Sequence, residues 1–277
     1  MSQITVAIHG GSGSRAALRW VAHHVAHTPS RITLVGVRAV GSPATGQAEA
    51  DLGSAALELR AIGDHLDVVT ELRHGDPQEQ LAAAAADSAA DLLVVGTHAS
   101  RSNPHSGLLT VAGRLAAHAP CPVIVVPAAW TPQRGPVVVG TSIDSASDAA
   151  LDFAYELAER DSRSLVLAHV WKLPTIGETR ITPGGGDSIP ARQQASLDAL
   201  RAATSARGAT VAVSADLRTG GASAGLTAAV AAADASLLVV GRRARSAASR
   251  LMLGSTSREL ITAPPCAIAV VPAPNGS

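Results

Sequence analysis

Aromatic side chains are scarce: 277 residues hold three tryptophans, one tyrosine and one phenylalanine. Surfaces that stack the bases of single-stranded nucleic acid need several such rings, so that class of function is disfavoured. Charge of one sign is lacking too. Lys plus Arg number 22, and so do Asp plus Glu, leaving no basic field to attract DNA or an anionic membrane. Lys172 is the sole lysine, and with no Gly-Lys-Ser or Gly-Lys-Thr a Walker phosphate loop is excluded. Two cysteines, Cys121 and Cys266, make no disulfide framework. They are read as buried small residues rather than redox thiols. No apolar run approaches the length of a membrane span, and a strand begins almost at the first residue. Neither a span nor a signal peptide is therefore expected, and the cytoplasm is the expected location.

What is present is aliphatic residue in alternating short and long blocks. Apolar residues make up 47% of the chain. Strands are expected at Ile4–Ile8, Arg31–Val40, Leu66–Arg73, Asp91–Gly96 and Val123–Val126. Between them lie helices at Arg15–Ala26, with Ser14 as N-cap, at Ala48–Ile62, at Gln78–Ala86 behind Pro77, and at a segment ending near Ala117. After a short linker over 127–136, rich in Pro and Gly, the pattern restarts at Val137. Leu92-Leu-Val-Val-Gly96 answers Leu237-Leu-Val-Val-Gly241. Pro120-Cys-Pro-Val-Ile-Val-Val-Pro127 answers Pro265-Cys-Ala-Ile-Ala-Val-Val-Pro272. Two copies are expected, at 1–128 and 136–273, each an α/β domain with a parallel sheet and helices on both faces.

The stretch that carries chemistry is Gly241 to Thr256. A buried strand, Ser236–Val240, runs into Gly241-Arg-Arg-Ala244. Nine residues later, Gly254-Ser255-Thr256 opens a helix. A helix start of this kind offers free backbone N–H groups, two hydroxyls and the positive end of the helix dipole. Arg242, Arg243 and Arg245 add charge. In an open parallel sheet, ligands bind beyond the carboxyl ends of strands, so an anion, and most plausibly a phosphate, is expected here.

Gly241-x2-Ala244-x9-Gly254-Ser255 resembles the Gly-x2-Gly-x9-Gly-(Ser/Thr) nucleotide loop of the universal stress proteins, and the repeat extends the resemblance over nearly the whole chain. It implies two tandem flavodoxin-like, Rossmann-like domains with five parallel strands in the order 3-2-1-4-5. They would pack as an internal pseudo-dimer in which Val123–Val126 pairs with Ile268–Val271. It implies a stress-response role through binding of ATP or another adenine nucleotide, with or without Mg, as a regulatory ligand and not an enzyme. The implied site is Thr141, Ser142, Val170, Gly241, Arg243, Ala244, Gly254, Ser255 and Thr256, all in the second copy. Ser142 stands where the family carries an aspartate that holds adenosine, and Val170 would lie near the adenine. Ala244 replaces a glycine, at a cost of about 1 kcal/mol if that position needs a positive φ. In the first copy the aspartate position is His9, and Leu109-Thr110 replaces the downstream Gly-Ser. That copy is expected to bind no nucleotide.

Other readings compete. In one, both sites have decayed, leaving a nucleotide-free interaction module, which Ser142, His9, Ala244 and Leu109 favour. Gly11-Ser-Gly13-Ser-Arg-Ala16 follows a strand and opens a helix, as a dinucleotide fingerprint does, and Arg38 at the next strand's end suits a 2′-phosphate. That points to an NADP-dependent enzyme. His23 and His27, at i and i+4, have the spacing to share a metal, although nothing near in sequence completes a ligand set. No nucleic acid or membrane partner is expected, and a homo-oligomer stays open.

Overall fold

The computed structural model describes residues 1–39, 41, 46–97, 110–142, 148–172, 189–242 and 253–273. The first copy contains β1 (Ser2–Ile8), α1 (Ser12–His24), β2 (Ser30–Arg38), α2 (Gln47–Arg60), β3 (Leu66–His74), α3 (Pro77–Asp87), β4 (Leu92–Thr97), α4 (Val111–His118) and β5 (Val123–Pro127). The second contains β6 (Val137–Thr141), α5 (Asp148–Arg160), β7 (Leu165–Trp171), α6 (Ile189–Ser205), β8 (Val213–Thr219), α7 (Ala222–Ala233), β9 (Leu237–Gly241), α8 (Ser255–Thr262) and β10 (Ala267–Val271). The central strands are short runs of Val, Ile and Leu buried along their length, as parallel strands covered by helices must be.

The chain divides into two compact units. One comprises Met1–Gln133 with Arg242–Ser277, the other Arg134–Gly241. In the first unit the strand order is β3-β2-β1-β4-β5-β10. β1 to β5 run parallel, with Ile4 beside both Ile32 and Leu92. β10 joins β5 antiparallel, placing Ile268 opposite Val125 and Val270 opposite Val123. In the second unit β9-β6-β7-β8 are all parallel. The first copy thus has the order 3-2-1-4-5, but its sheet is mixed, and the last strand of the second copy belongs to the first unit. The physical reason is the apolar character of β5 and β10. Val123–Val126 are at most 1% exposed and Ala267–Val271 at most 4%. Either strand left as an open edge would be a site of aggregation.

Two local devices set the first unit's helices. α3 is capped by Asp76, whose carboxylate accepts from the N–H groups of Gln78 and Glu79 at 2.9 and 3.1 Å, with Pro77 in the first turn. α1 starts earlier than Ser14, with Gly11 in an extended conformation as its N-cap. Ser14 is instead buried and holds the strand end, accepting from His9 N–H at 3.1 Å and donating to the Ala7 carbonyl. The segment after β5 is more than a tether, because Trp130 is 6% exposed. Its N–H donates to the Pro127 carbonyl at 2.8 Å, its carbonyl accepts from Arg19 Nη2 at 3.3 Å, and its ring lies edge-on to His23. Among the described residues no helix is long and apolar enough to cross a membrane.

Candidate functional site

In the second unit, parallel pairing aligns the carboxyl ends of β9, β6 and β7. Thr141 ends β6. It is buried, and its Oγ1 donates to the Ala168 carbonyl at 3.3 Å. The Thr141 carbonyl in turn faces His169 Nδ1 at 2.9 Å. A carbonyl only accepts, so that nitrogen carries the proton. With the proton on Nδ1, His169 Nε2 is an acceptor. It lies 3.1 Å from the side-chain amide of Gln193 on α6, and with the amide N–H group turned toward it, as hydrogen bonding requires, the buried imidazole ties the end of β6 to α6. Ser142 follows, half-buried. Val170 packs on α7: a Cβ at Gly225 would come within 2.6 Å of Val170 Cγ1, so only glycine fits the helix there. Gly241 ends β9 without such a demand, since a Cβ would meet only Ala150 at 3.6 Å. Arg243, Ala244 and Arg245 lie outside the described residues.

Gly254, Ser255 and Thr256 belong to the first unit. Gly254 is the N-cap of α8, with φ −61° and ψ 155°, and has no side chain with which to cap it. Nothing lies within 4 Å of where its Cβ would be. Ser255 is exposed, Thr256 half-buried, and the first turn carries no acid. The first-turn N–H groups therefore have no intrahelical acceptor and no cap from the N-cap residue itself. In the first copy the corresponding helix, α4, caps itself: Thr110 Oγ1 accepts from Gly113 N–H at 3.1 Å. Leu109 lies outside the described residues.

Arg242 differs from its expected part in the loop's positive charge. Its backbone N–H donates to the Val271 carbonyl at 2.7 Å, and its Nη1 to the Ala119 carbonyl at 3.0 Å. Ala119 is the C-cap of α4, where a cation complements the helix dipole. Burial lowers the pKa of the guanidinium, partly offset by the neighbouring Cys121. Burial also pushes the Cys121 thiol up to about 11. Cys121 and Cys266 are both buried and unbridged, as small core residues are.

The glycine pattern at Gly11–Ala16 has a packing explanation. Gly13 lies against the backbone of β4, and a Cβ at Gly96 would overlap the Gly13 carbonyl. Arg38 Nη1 faces Glu49 Oε1 at 3.4 Å, so a carboxylate stands where a 2′-phosphate would pair. His9 is exposed at the end of β1. Beside it Gly10 has φ +76°, and the space its Cβ would take is filled by the Asp51 carboxylate of α2. Sequence reasoning missed Asp51, Gly225 and the target of Arg242. Each partner is tens of residues away, and no local motif announces it. Among the described residues no group of three or more His, Cys, Asp or Glu is placed for a metal ion. His23 instead meets Trp130, and His24 stacks on Trp20 at 4.7 Å.

The profile of the universal stress protein family matches the chain twice, over residues 1–127 and 134–272. A universal stress protein of Mycobacterium tuberculosis, found in strains CDC 1551 and H37Rv, is 31% identical over 196 residues, which is 63% of this chain. The match spans 65% of that relative's length. Among solved structures, a universal stress protein from Archaeoglobus fulgidus superposes over 98% of both chains with a TM-score of 0.77 at 17% identity. A Pseudomonas aeruginosa protein of unknown function covers 99% of this chain and 93% of its own, with a TM-score of 0.70 at 19% identity. At these identities the two structures speak for the fold alone.

Proposed function

The chain belongs to the universal stress protein family, and from that premise we propose that it is a stress-response protein that binds ATP or another adenine nucleotide through its second copy. The nucleotide acts as a regulatory ligand, not as a substrate. The observation that carries this reading is the contrast between two helix starts. α8 begins behind Gly254, which has no side chain to cap the first-turn N–H groups, whereas Thr110 caps α4. An open helix start favours a phosphate. Gly254, Ser255 and Thr256 would hold the phosphates, with Gly241, Arg243 and Ala244 at the loop's opening. Thr141, Ser142 and Val170 would face the nucleoside. Binding would favour one conformation and change how the protein meets its partners.

A second reading, a nucleotide-free interaction module, is favoured by Ser142, whose hydroxyl brings no charge to the nucleoside side. Denaturing the purified protein and identifying released nucleotide by chromatography and mass separates the two. Adenine nucleotide near one per chain supports a working second copy and a silent first. In titrations, Gly254→Val with Ser255→Ala should abolish measurable nucleotide binding. Unchanged affinity in that pair would remove the site assignment.

A further inference from the structure

β3 closes one side of the first unit's sheet, and its outer edge is only half covered. Ser30 N–H donates to the His65 carbonyl at 3.3 Å, and Gly75 N–H to the Arg38 carbonyl at 2.9 Å. In a parallel ladder alternate residues turn to the neighbouring strand, so the odd-numbered residues of β3 bond β2. Leu66, Val68, Thr70, Leu72 and His74 therefore turn their backbone groups outward. The chain blocks the first part of that edge itself. Leu66 N–H donates to the Gly63 carbonyl at 3.3 Å, and the Val68 carbonyl accepts from Arg60 Nη2 at 2.7 Å. From Thr70 to His74 no outward backbone group has such a partner among the described residues.

The open part reads Thr70-Glu71-Leu72-Arg73-His74. Edges are commonly guarded by charge, and charges of one sign repel a second copy of the same strand. This edge carries an acid and a base instead, two residues apart on the face where α3 lies. Arg73 Nη2 donates to Glu71 Oε1 at 2.8 Å and to Asp87 Oδ2 of α3 at 2.7 Å, and Arg73 Nε is left without a partner. When a second copy is set antiparallel about Leu72, Thr70 meets the partner's His74, and Glu71 meets the partner's Arg73. Opposite charges directly across a ladder attract, and the two-fold makes that contact twice. A register two residues nearer the start of β3 would need the Val68 carbonyl, which Arg60 already holds.

Exposed apolar surface collects at the same edge. Among the described residues three large apolar side chains are exposed: Met1 at 71%, Leu57 at 69% and Val69 at 37%. Val69 adjoins the open segment. Leu57 lies one helical turn before Arg60, on the side of α2 from which Arg60 reaches the edge. Asp216-Leu217-Arg218 repeats the charged triplet on β8, the outer strand of the second unit, but β8 exposes no large apolar side chain.

We propose that two copies of this chain associate edge to edge through Thr70–His74 of β3, antiparallel about a two-fold axis at Leu72, with Glu71 of each copy paired to Arg73 of the other. The contact is small, so the dimer is weak and concentration-dependent. It stands independently of the nucleotide reading.

Sedimentation velocity of the full chain, from micromolar to millimolar concentration, should show a monomer–dimer equilibrium. Glu71→Arg and Arg73→Glu each place like charges across the ladder and should raise the dissociation constant about tenfold or more. Mixed in equal amounts, the two variants should dimerise again, because each presents the charges that the other lacks. Thr70→Pro costs the monomer no hydrogen bond and suits an edge strand. It removes an outward N–H and should weaken the dimer to a similar extent, which keeps the test open if circular dichroism shows a charge variant unfolded. Asp216→Arg, the equivalent change on β8, should leave the dimer intact. A wild type that stays monomeric throughout overturns the proposal. So does a dimer that survives Thr70→Pro, a mixture of folded charge variants that stays monomeric, or an equal loss in Asp216→Arg.

Discussion

Gly13 and Gly96 approach so closely that a Cβ on Gly96 would overlap the Gly13 carbonyl, while one on Gly13 would lie 3.1 Å from the Thr97 carbonyl oxygen. This contact seats α1 on the carboxyl end of β4. Gly96→Ala forces two backbones apart and should cost roughly 3 kcal/mol or more, read as a lower urea midpoint. Gly53, inside α2 with nothing within 4 Å of its Cβ direction, is the control. Gly53→Ala should stabilise by about 0.5–1 kcal/mol.

The two helix starts can be interconverted. Thr110→Ala removes the hydroxyl that accepts from Gly113 and should cost about 1 kcal/mol of stability. Gly254→Ser offers α8 the cap it lacks. It should add a few tenths of a kcal/mol and weaken nucleotide binding, because the hydroxyl competes with the phosphate for the same N–H groups. Titration of both variants checks the pair: stability and affinity should move in opposite directions at Gly254.

Cys121 supplies a pH dependence. Burial raises its thiol from 9.0 to about 11, so folding favours the protonated form. The resulting stability, about 2–3 kcal/mol, is fully present below pH 9 and is lost as pH rises through 11. Denaturation midpoints between pH 8 and 11 should show this fall in the wild type and a smaller one in Cys121→Ala. In the native state at pH 8 the thiol should resist alkylating reagents.

Arg242→Met keeps most of the side-chain volume and removes the donor to the Ala119 carbonyl. Ala119 is fully buried, so its carbonyl loses a partner where water does not readily replace it. The expected cost is about 1–3 kcal/mol. Hydrogen exchange should quicken at the C-terminal turn of α4, where Ala119 N–H bonds Leu115.

How much of this was legible in the sequence varies with distance along the chain. Short apolar runs such as Leu92–Val95 and Leu237–Val240 mark strands directly, and their recurrence exposes the tandem fold. The pairing of β5 with β10 follows from the family resemblance, with which the apolar character of both strands agrees, but its antiparallel sense was not legible. Ser14 misled as a cap, since a serine near a helix start can equally serve the preceding strand. The Asp51 carboxylate beside Gly10 left no trace, because a side chain reaching across from another helix has no periodicity. Gly225 carries no local signal either, because the demand for glycine comes from Val170 on β7. For the loop, Arg243 and Ala244 lie outside the described residues, and their contribution rests on the family resemblance.

The antiparallel pairing of Ile268 with Val125 also sets a clock on biosynthesis. Roughly 140 residues separate the two strands, and translation at about 5–20 residues per second delivers β10 some seven to thirty seconds after β5 has been made. For that interval Val-Ile-Val-Val, paired with β4 on one side, leaves its other edge open, an invitation to chaperones or to another nascent copy. Slowing translation between the copies would lengthen that exposure, and yield in the cell would then depend on codon usage in the second half of the message as much as on the stability of the finished fold.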